Sequence, residues 1–287
     1  MFNKRHIVRT IAATASILAL SFTAACGSGQ STASNSADSN DITQQTYKPG
    51  KLTIATGQPA YEPWVMNDKP ESGEGYEAAV AYAVADKLGF KKSDVAWTRT
   101  AFDTAIAPGA KDWDFNIQQF GITDERKKAV DFSSSYYNDS QSVVVKKDSK
   151  FANATKVSDL KDATVGVMVG TLAYDYAKAN IKDDIQTFND DAALAQALDA
   201  GQIDALVTST VECVYMVQSE QVKDAKVLGR LPDSEDKSGM GIVLPKDSKL
   251  TAAVTKAVDD LNADGTIKKL QDKWLAEYTT DLTELKK

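Results

Sequence analysis

Short β-type runs alternate with stretches of helical period from residue 51 to residue 283, and that alternation restricts the chain to α/β layers. Residues 52–55 read as a strand. In the stretch that follows, Tyr76, Ala79, Val80, Ala83, Val84 and Leu88 recur at helical spacing. Further strands are predicted at 115–117, 143–145, 164–168, 203–207 and 241–244. Helices are predicted from Gly170-Thr171 to Ala179, over 191–200 with Gly201 as the terminating residue, and over 251–262 and 266–278 around Gly265. At 287 residues the chain fits one large or two medium domains.

Composition excludes several classes of function. The formal net charge is −7, and loss of the leader cations Lys4, Arg5 and Arg9 would take it to −10. An acidic body repels phosphate backbones, so no nucleic-acid partner is expected. The one histidine, His6, lies in that leader, so a mature chain would hold no Ser-His-Asp or Cys-His catalytic set and no histidine metal site. No metal and no cofactor are expected. Of the two cysteines, Cys213 reads as a small apolar filler.

The first fifty residues read as address and tether. Lys4, Arg5, His6 and Arg9 precede an apolar stretch, residues 11–22, too short to span a bilayer permanently. Thr23-Ala24-Ala25-Cys26 follows and resembles the lipobox of bacterial lipoproteins, with Thr23 where leucine is usual. The resemblance implies a signal peptide over 1–25 and a diacylated Cys26. Two acyl chains anchor firmly where one does not. Residues 27–50 carry almost no apolar content, so 26–50 is expected to be a flexible tether reaching roughly 25–30 Å.

Four ordered segments of the body carry a second resemblance. They are Thr56-Gly57-Gln58-Pro59-Ala60-Tyr61-Glu62-Pro63-Trp64 with Gly75-Tyr76-Glu77; Phe102-Asp103-Thr104-Ala105-Ile106-Ala107-Pro108; Phe120-Gly121-Ile122-Thr123-Asp124-Glu125-Arg126 with Val130-Asp131-Phe132-Ser133; and Val165-Gly166-Val167-Met168-Val169-Gly170-Thr171 with Ala200-Gly201-Gln202-Ile203-Asp204-Ala205. Together they resemble the amino-acid-binding branch of the two-lobed, type II solute-binding proteins of ABC importers. The resemblance implies a clamshell of two α/β lobes: lobe 1 over 51–140 plus 246–283, lobe 2 over 147–238, and hinge strands at 141–146 and 239–245. Ligand would bind between lobes and close them. The implied partners are an amino acid, an ABC permease and its ATPase, and the outer face of the cell membrane through the lipid anchor. A monomer is implied.

The same resemblance assigns roles. Arg126 matches the arginine that takes the α-carboxylate, and a guanidinium fork fits two carboxylate oxygens as lysine cannot. Gly170, Thr171 and the backbone N–H of Leu172 open a helix, whose N-terminus attracts anions. Tyr61 and Phe102 match the aromatic pair that sandwiches the ligand, with Trp64 either beside them or in the core. Carbonyls near Gln119 and Gly121, with Thr123, match ammonium acceptors. The family's lobe-2 acid falls on Ser209, so the acid is missing there; Glu212 or Glu77 could replace it. Gln58 stands where binders of basic amino acids carry an acid, and Gln118 and Gln119 replace small residues. The expected ligand therefore has a neutral polar or acidic side chain rather than a basic one. A sensor domain on the same clamshell is the alternative reading, as is a dehydratase- or lyase-like enzyme using Glu77. A non-enzyme is expected. An amine, an opine or a sulfur-containing amino acid remains open as ligand.

Overall fold

The computed structural model describes residues 41–279 and 281–287. The expected signal peptide over 1–25 and Cys26 lie outside the described residues. Ten strands form two five-stranded mixed sheets. The first contains β1 (Leu52–Thr56), β2 (Val95–Arg99), β3 (Phe115–Asn116), β4 (Val130–Tyr137) and β10 (Met240–Pro245), in the order β2-β1-β3-β10-β4. The second contains β5 (Gln141–Lys146), β6 (Val165–Met168), β7 (Gln186–Phe188), β8 (Ala205–Ser209) and β9 (Ala225–Arg230), in the order β7-β6-β8-β5-β9. In each sheet three parallel strands are followed by one antiparallel strand, β10 or β5, and then by an edge strand, β4 or β9, paired antiparallel to it. These are the α/β layers that the alternation implied, arranged in the two lobes that the family resemblance implied.

Seven helices cover the sheets: α1 (Tyr76–Lys87), α2 (Phe102–Ile106), α3 (Leu172–Asn180), α4 (Asp191–Asp199), α5 (Thr210–Gln218), α6 (Thr251–Ala263) and α7 (Thr266–Trp274). Because successive strand side chains point to opposite faces, each sheet builds two cores. In β10, Ile242 and Leu244 join Leu52, Ile54, Val80 and Val254 on one face, while Val243 meets Ala55, Phe120 and Val130 on the other. In β5, Val143 and Val145 pack with Val165 and Val207, and Val144 packs with Leu194, Leu198 and Leu206.

Three expected boundaries are corrected. Of the expected hinge strands, 141–146 and 240–245 are integral to the sheets as β5 and β10; the chain crosses between the sheets at 138–140 and 231–239. The two crossings run side by side, with Leu231 N–H donating to Gln141 O (2.8 Å) and Asp236 N–H to Asp139 O (2.9 Å). Residues 41–50, assigned to the tether, belong to the first lobe: Ile42 packs on its core, and Tyr47 N–H donates to the Asp114 carboxylate. The C-terminal tail returns to the second lobe. Arg230 N–H donates to Thr283 O (2.9 Å), Leu285 N–H to Arg230 O (2.9 Å), and Val157 N–H to Lys286 O (2.8 Å). Leu285 is buried with Val143, Val165 and Leu231. Leu285→Ala should therefore lower unfolding stability by about 2–4 kcal/mol in a denaturant melt; a loss under about 0.5 kcal/mol would mean that the tail is merely laid on the surface.

Candidate functional site

A cleft of about 80 Å³ opens where the two sheets face each other, lined by residues of both lobes and both crossings. A space of that size holds one small solute and no polymer. Among the hydrogen bonds that bridge the lobes are three on this side of the molecule. Arg126 Nη2 donates to Gly170 O (2.8 Å), Ala192 N–H to the Tyr61 hydroxyl (3.3 Å), and the Tyr215 hydroxyl to Glu62 Oε2 (3.2 Å).

Arg126 occupies a short 3-10 turn ahead of β4 and points into the cleft. Its second anchor is Nη1 to Gly121 O, 2.7 Å. The ring of Phe102 lies under the guanidinium at 5.5 Å and stacks on Phe120 at 4.5 Å. Burial lowers the arginine's pKa, and Asp175 and Asp236 oppose that shift. Two of the five guanidinium donors are committed to carbonyls, which leaves three for a ligand anion. Across the cleft Thr171 caps α3, accepting from Tyr174 N–H at 3.2 Å, and Leu172 and Ala173 bring the first helical turn to the cleft wall. First-turn N–H groups lack partners within their helix and favour anions. The cleft thus has one anion-seeking end.

The loop 118–121 is shaped from behind. Gln119 has φ +52°, and Glu77, fully buried at the start of α1, accepts its backbone N–H at 2.7 Å and its side-chain amide. Tyr136 also donates its hydroxyl to Glu77. Burial pushes the Glu77 carboxyl up to about 7, with those hydrogen bonds opposing the shift. Glu77 does not line the cleft, so the acid on which the enzyme reading rested is a loop support.

Most residues assigned from the resemblance converge here. Tyr61, Phe102, Gln118, Gln119 and Gly121 line the cleft from the first lobe, and Thr171, Leu172 and Ser209 from the second. Trp64, read as either ligand aromatic or core, is almost fully buried in the first core and also lines the cleft. Other assignments need correction. Gln58 is exposed and off the cleft wall. The Thr123 hydroxyl accepts Arg126 N–H at 3.1 Å instead of facing a ligand. Gly170 is needed for its φ of +74°, not for space, since a Cβ there would meet nothing within 4 Å. Ser209 is the N-cap of α5, accepting from Glu212 N–H at 3.4 Å. Phe102 presents one face to Phe120, so it supports the arginine as well as the cavity.

Four carboxylates of the cleft wall went unassigned or were only weighed: Asp139, Asp191, Glu212 and Asp236. Arg126 is the single cation among the described residues lining it. The sequence holds a signal for two of them. Asp190 caps α4 by accepting Ala193 N–H at 2.8 Å, which makes its neighbour Asp191 surplus to capping. Glu212 is a lone acid in the apolar helix Thr210–Gln218, where burial is expensive without a purpose.

Glu77, Asp139 and Asp191 have carboxyl pKa values raised to about 7, 7 and 6, chiefly by burial. The folded chain therefore binds more protons than the unfolded chain between about pH 4.5 and 7, and stability should fall as pH rises through that window. Glu77→Gln should remove its share, up to roughly 3 kcal/mol between pH 4.5 and 8. Melts of wild type and variant with equal pH slopes would contradict this role of Glu77.

Comparison with known proteins places this geometry in a family. Residues 52–277 match the bacterial extracellular solute-binding proteins, family 3. The L-arginine-binding protein of Pseudomonas aeruginosa is 29% identical over 245 residues, covering 80% of this chain and 88% of the relative. The L-cystine-binding protein TcyJ of Escherichia coli K12 is 30% identical over 223 residues, covering 77% and 81%. A solved ancestral arginine-binding protein bound to arginine superposes with a TM-score of 0.67 at 31% identity, covering 78% of this chain and 98% of that one. The chain belongs to the bacterial extracellular solute-binding proteins, family 3.

Proposed function

We propose that this protein is the extracytoplasmic substrate-binding component of an ABC importer, that it captures a free amino acid between its lobes, and that it carries no enzymatic activity. The observation that bears most weight is Arg126, braced by Phe102 and two carbonyls, facing the N-terminus of α3 across a cleft sized for one small solute. A carboxylate there would meet a guanidinium from one lobe and helix N–H groups from the other, so binding it would stabilise the closed arrangement. The relatives named for arginine and cystine support an amino acid as ligand. The permease and its ATPase are the partners of this reading. Cys26 would carry the lipid that holds the body at the outer membrane face, as a monomer hinged at 138–140 and 231–239.

The expected acidic or neutral side chain is revised. Four carboxylates against one arginine disfavour a ligand of negative net charge, and Gln58, on which the argument against basic side chains leaned, is off the wall. The ligand in this reading has zero or positive net charge.

A thermal-shift panel of the twenty L-amino acids and L-cystine tests the reading. A ligand at a hundred times its Kd adds about 2.7 kcal/mol, a rise of roughly 5–10 °C. One or a few members should give that shift, Arg126→Ala should abolish it, and Arg126→Lys should restore little. No shift across the panel, or a shift insensitive to Arg126, would reject the amino-acid reading. Cys26→Ser should move the protein from the membrane to the soluble fraction; continued sedimentation with membranes would reject the anchor.

A further inference from the structure

The far wall of the cleft holds two carboxylates with no resident counter-charge. Asp191 stands in the first turn of α4 and Glu212 in the first turn of α5, and both line the cavity. Glu212 is only 3% exposed, and its Oε1 has no hydrogen-bond partner. The Trp64 indole N–H is the group that most eases its charge, but it does not reach hydrogen-bond geometry. Asp191 Oδ1 receives one long bond, from the Thr208 hydroxyl at 3.4 Å.

The groups facing this pair are all acidic or neutral. Asp139 of the first crossing and Asp191 both raise the Glu212 carboxyl. Asp190 raises Asp191, the Tyr61 hydroxyl faces the same acids from lobe 1, and Cys213 and Tyr215 lie beside Glu212 on α5. Arg126 answers to Asp175 and Asp236 instead. The N-terminal ends of α4 and α5 each ease one charge but supply no bond to Oε1. These carboxylates are not gathered as a metal-holding group. Glu212 is buried and Asp191 half-buried on the same wall, and the Asp191 charge raises the Glu212 carboxyl; a carboxylate pair of this kind without a cation retains a proton between its members.

We propose that Asp191 and Glu212 together are the acceptor for the ligand's ammonium or guanidinium group, supplying the acid missing at Ser209, and that the pair yields one shared proton to solvent when that cation arrives. Charge balances in this step: a pair of net charge −1 becomes −2 as one cationic group and its hydrogen bonds take the proton's place. Ser209 is committed to the α5 cap, so the acid function has moved one strand and one helical turn away. The inference rests on the amino-acid reading above and sharpens it. It makes affinity for a cationic ligand rise with pH across the range in which the pair loses its proton.

The experiment is isothermal titration with L-arginine and L-glutamate at pH 6 (in phosphate and in Bis-Tris) and at pH 8 (in phosphate and in Tris), on wild type, Asp191→Asn and Glu212→Gln. Both substitutions keep shape and remove a buried charge, and ligand-free melts check folding. Wild type should bind arginine and not glutamate, release up to one proton at pH 6, and bind more tightly at pH 8. Each variant should lose about tenfold to a hundredfold in arginine affinity and most of the proton release, with an unchanged or higher ligand-free Tm. Variants that bind arginine as wild type does, or wild type that releases no proton, would overturn the inference and leave the amino-acid reading standing. Wild type that prefers glutamate or ignores arginine would also overturn it; the amino-acid reading falls too only if the whole panel fails.

Discussion

A single guanidinium facing four carboxylates across one cleft organises this protein. Arg126 is half-buried without an ion-pair partner among the described residues, and the chain surrounds it with weaker supports. Two carbonyls from opposite lobes accept its N–H groups, and Phe102 offers a ring face backed by Phe120. Glu77 and Tyr136 fix the Gln119–Gly121 loop that supplies one of those carbonyls. Gly121 permits a close approach between lobes: a Cβ there would fall 2.5 Å from Leu172 and 2.7 Å from Asp236. The site is thus assembled from both lobes, and neither contains it alone.

The polarity of the cleft follows from that arrangement. One end offers Arg126 and the first turn of α3; the other offers Asp191, Glu212 and Asp139. A zwitterion or a longer cationic amino acid matches such a dipole, whereas a dicarboxylate does not. Binding such a ligand would replace unfavourable burial with paired contacts in both lobes, which is the physical content of closure.

Much of this was legible in the sequence where local pattern and burial agree. The all-buried strand Leu52–Thr56, the helix from Tyr76 and the α4 stop at Gly201 were readable from period and capping residues. Elements without those signals were missed. The strand Val130–Tyr137 contains three serines, and Val95–Arg99 is a sheet edge with no fully buried residue. The helix Thr210–Gln218 is rich in β-branched and aromatic residues that mimic a strand. In the site, Arg126, Tyr61, Phe102 and Thr171 were found through ordered motifs. Asp191, Asp139 and Asp236 were not, because their role comes from loops and helix starts that only the fold brings together. Residues 41–50 and 281–283 were assigned elsewhere for a related reason: the segments they belong to are mostly polar, and they dock through few apolar side chains, half-buried Ile42 and buried Leu285, together with hydrogen bonds that local pattern does not reveal.

In the proposed mode of binding one amino acid spans the cleft from Arg126 to the Asp191–Glu212 pair, and a crystal structure with the tightest-binding amino acid of the panel is the sharpest test. The ligand carboxylate should lie within about 3.2 Å of the Arg126 guanidinium and of an α3 first-turn N–H, and a ligand nitrogen within about 3.2 Å of Asp191 or Glu212. A ligand whose carboxylate lies away from Arg126, or whose nitrogen makes no contact with either acid, would contradict it.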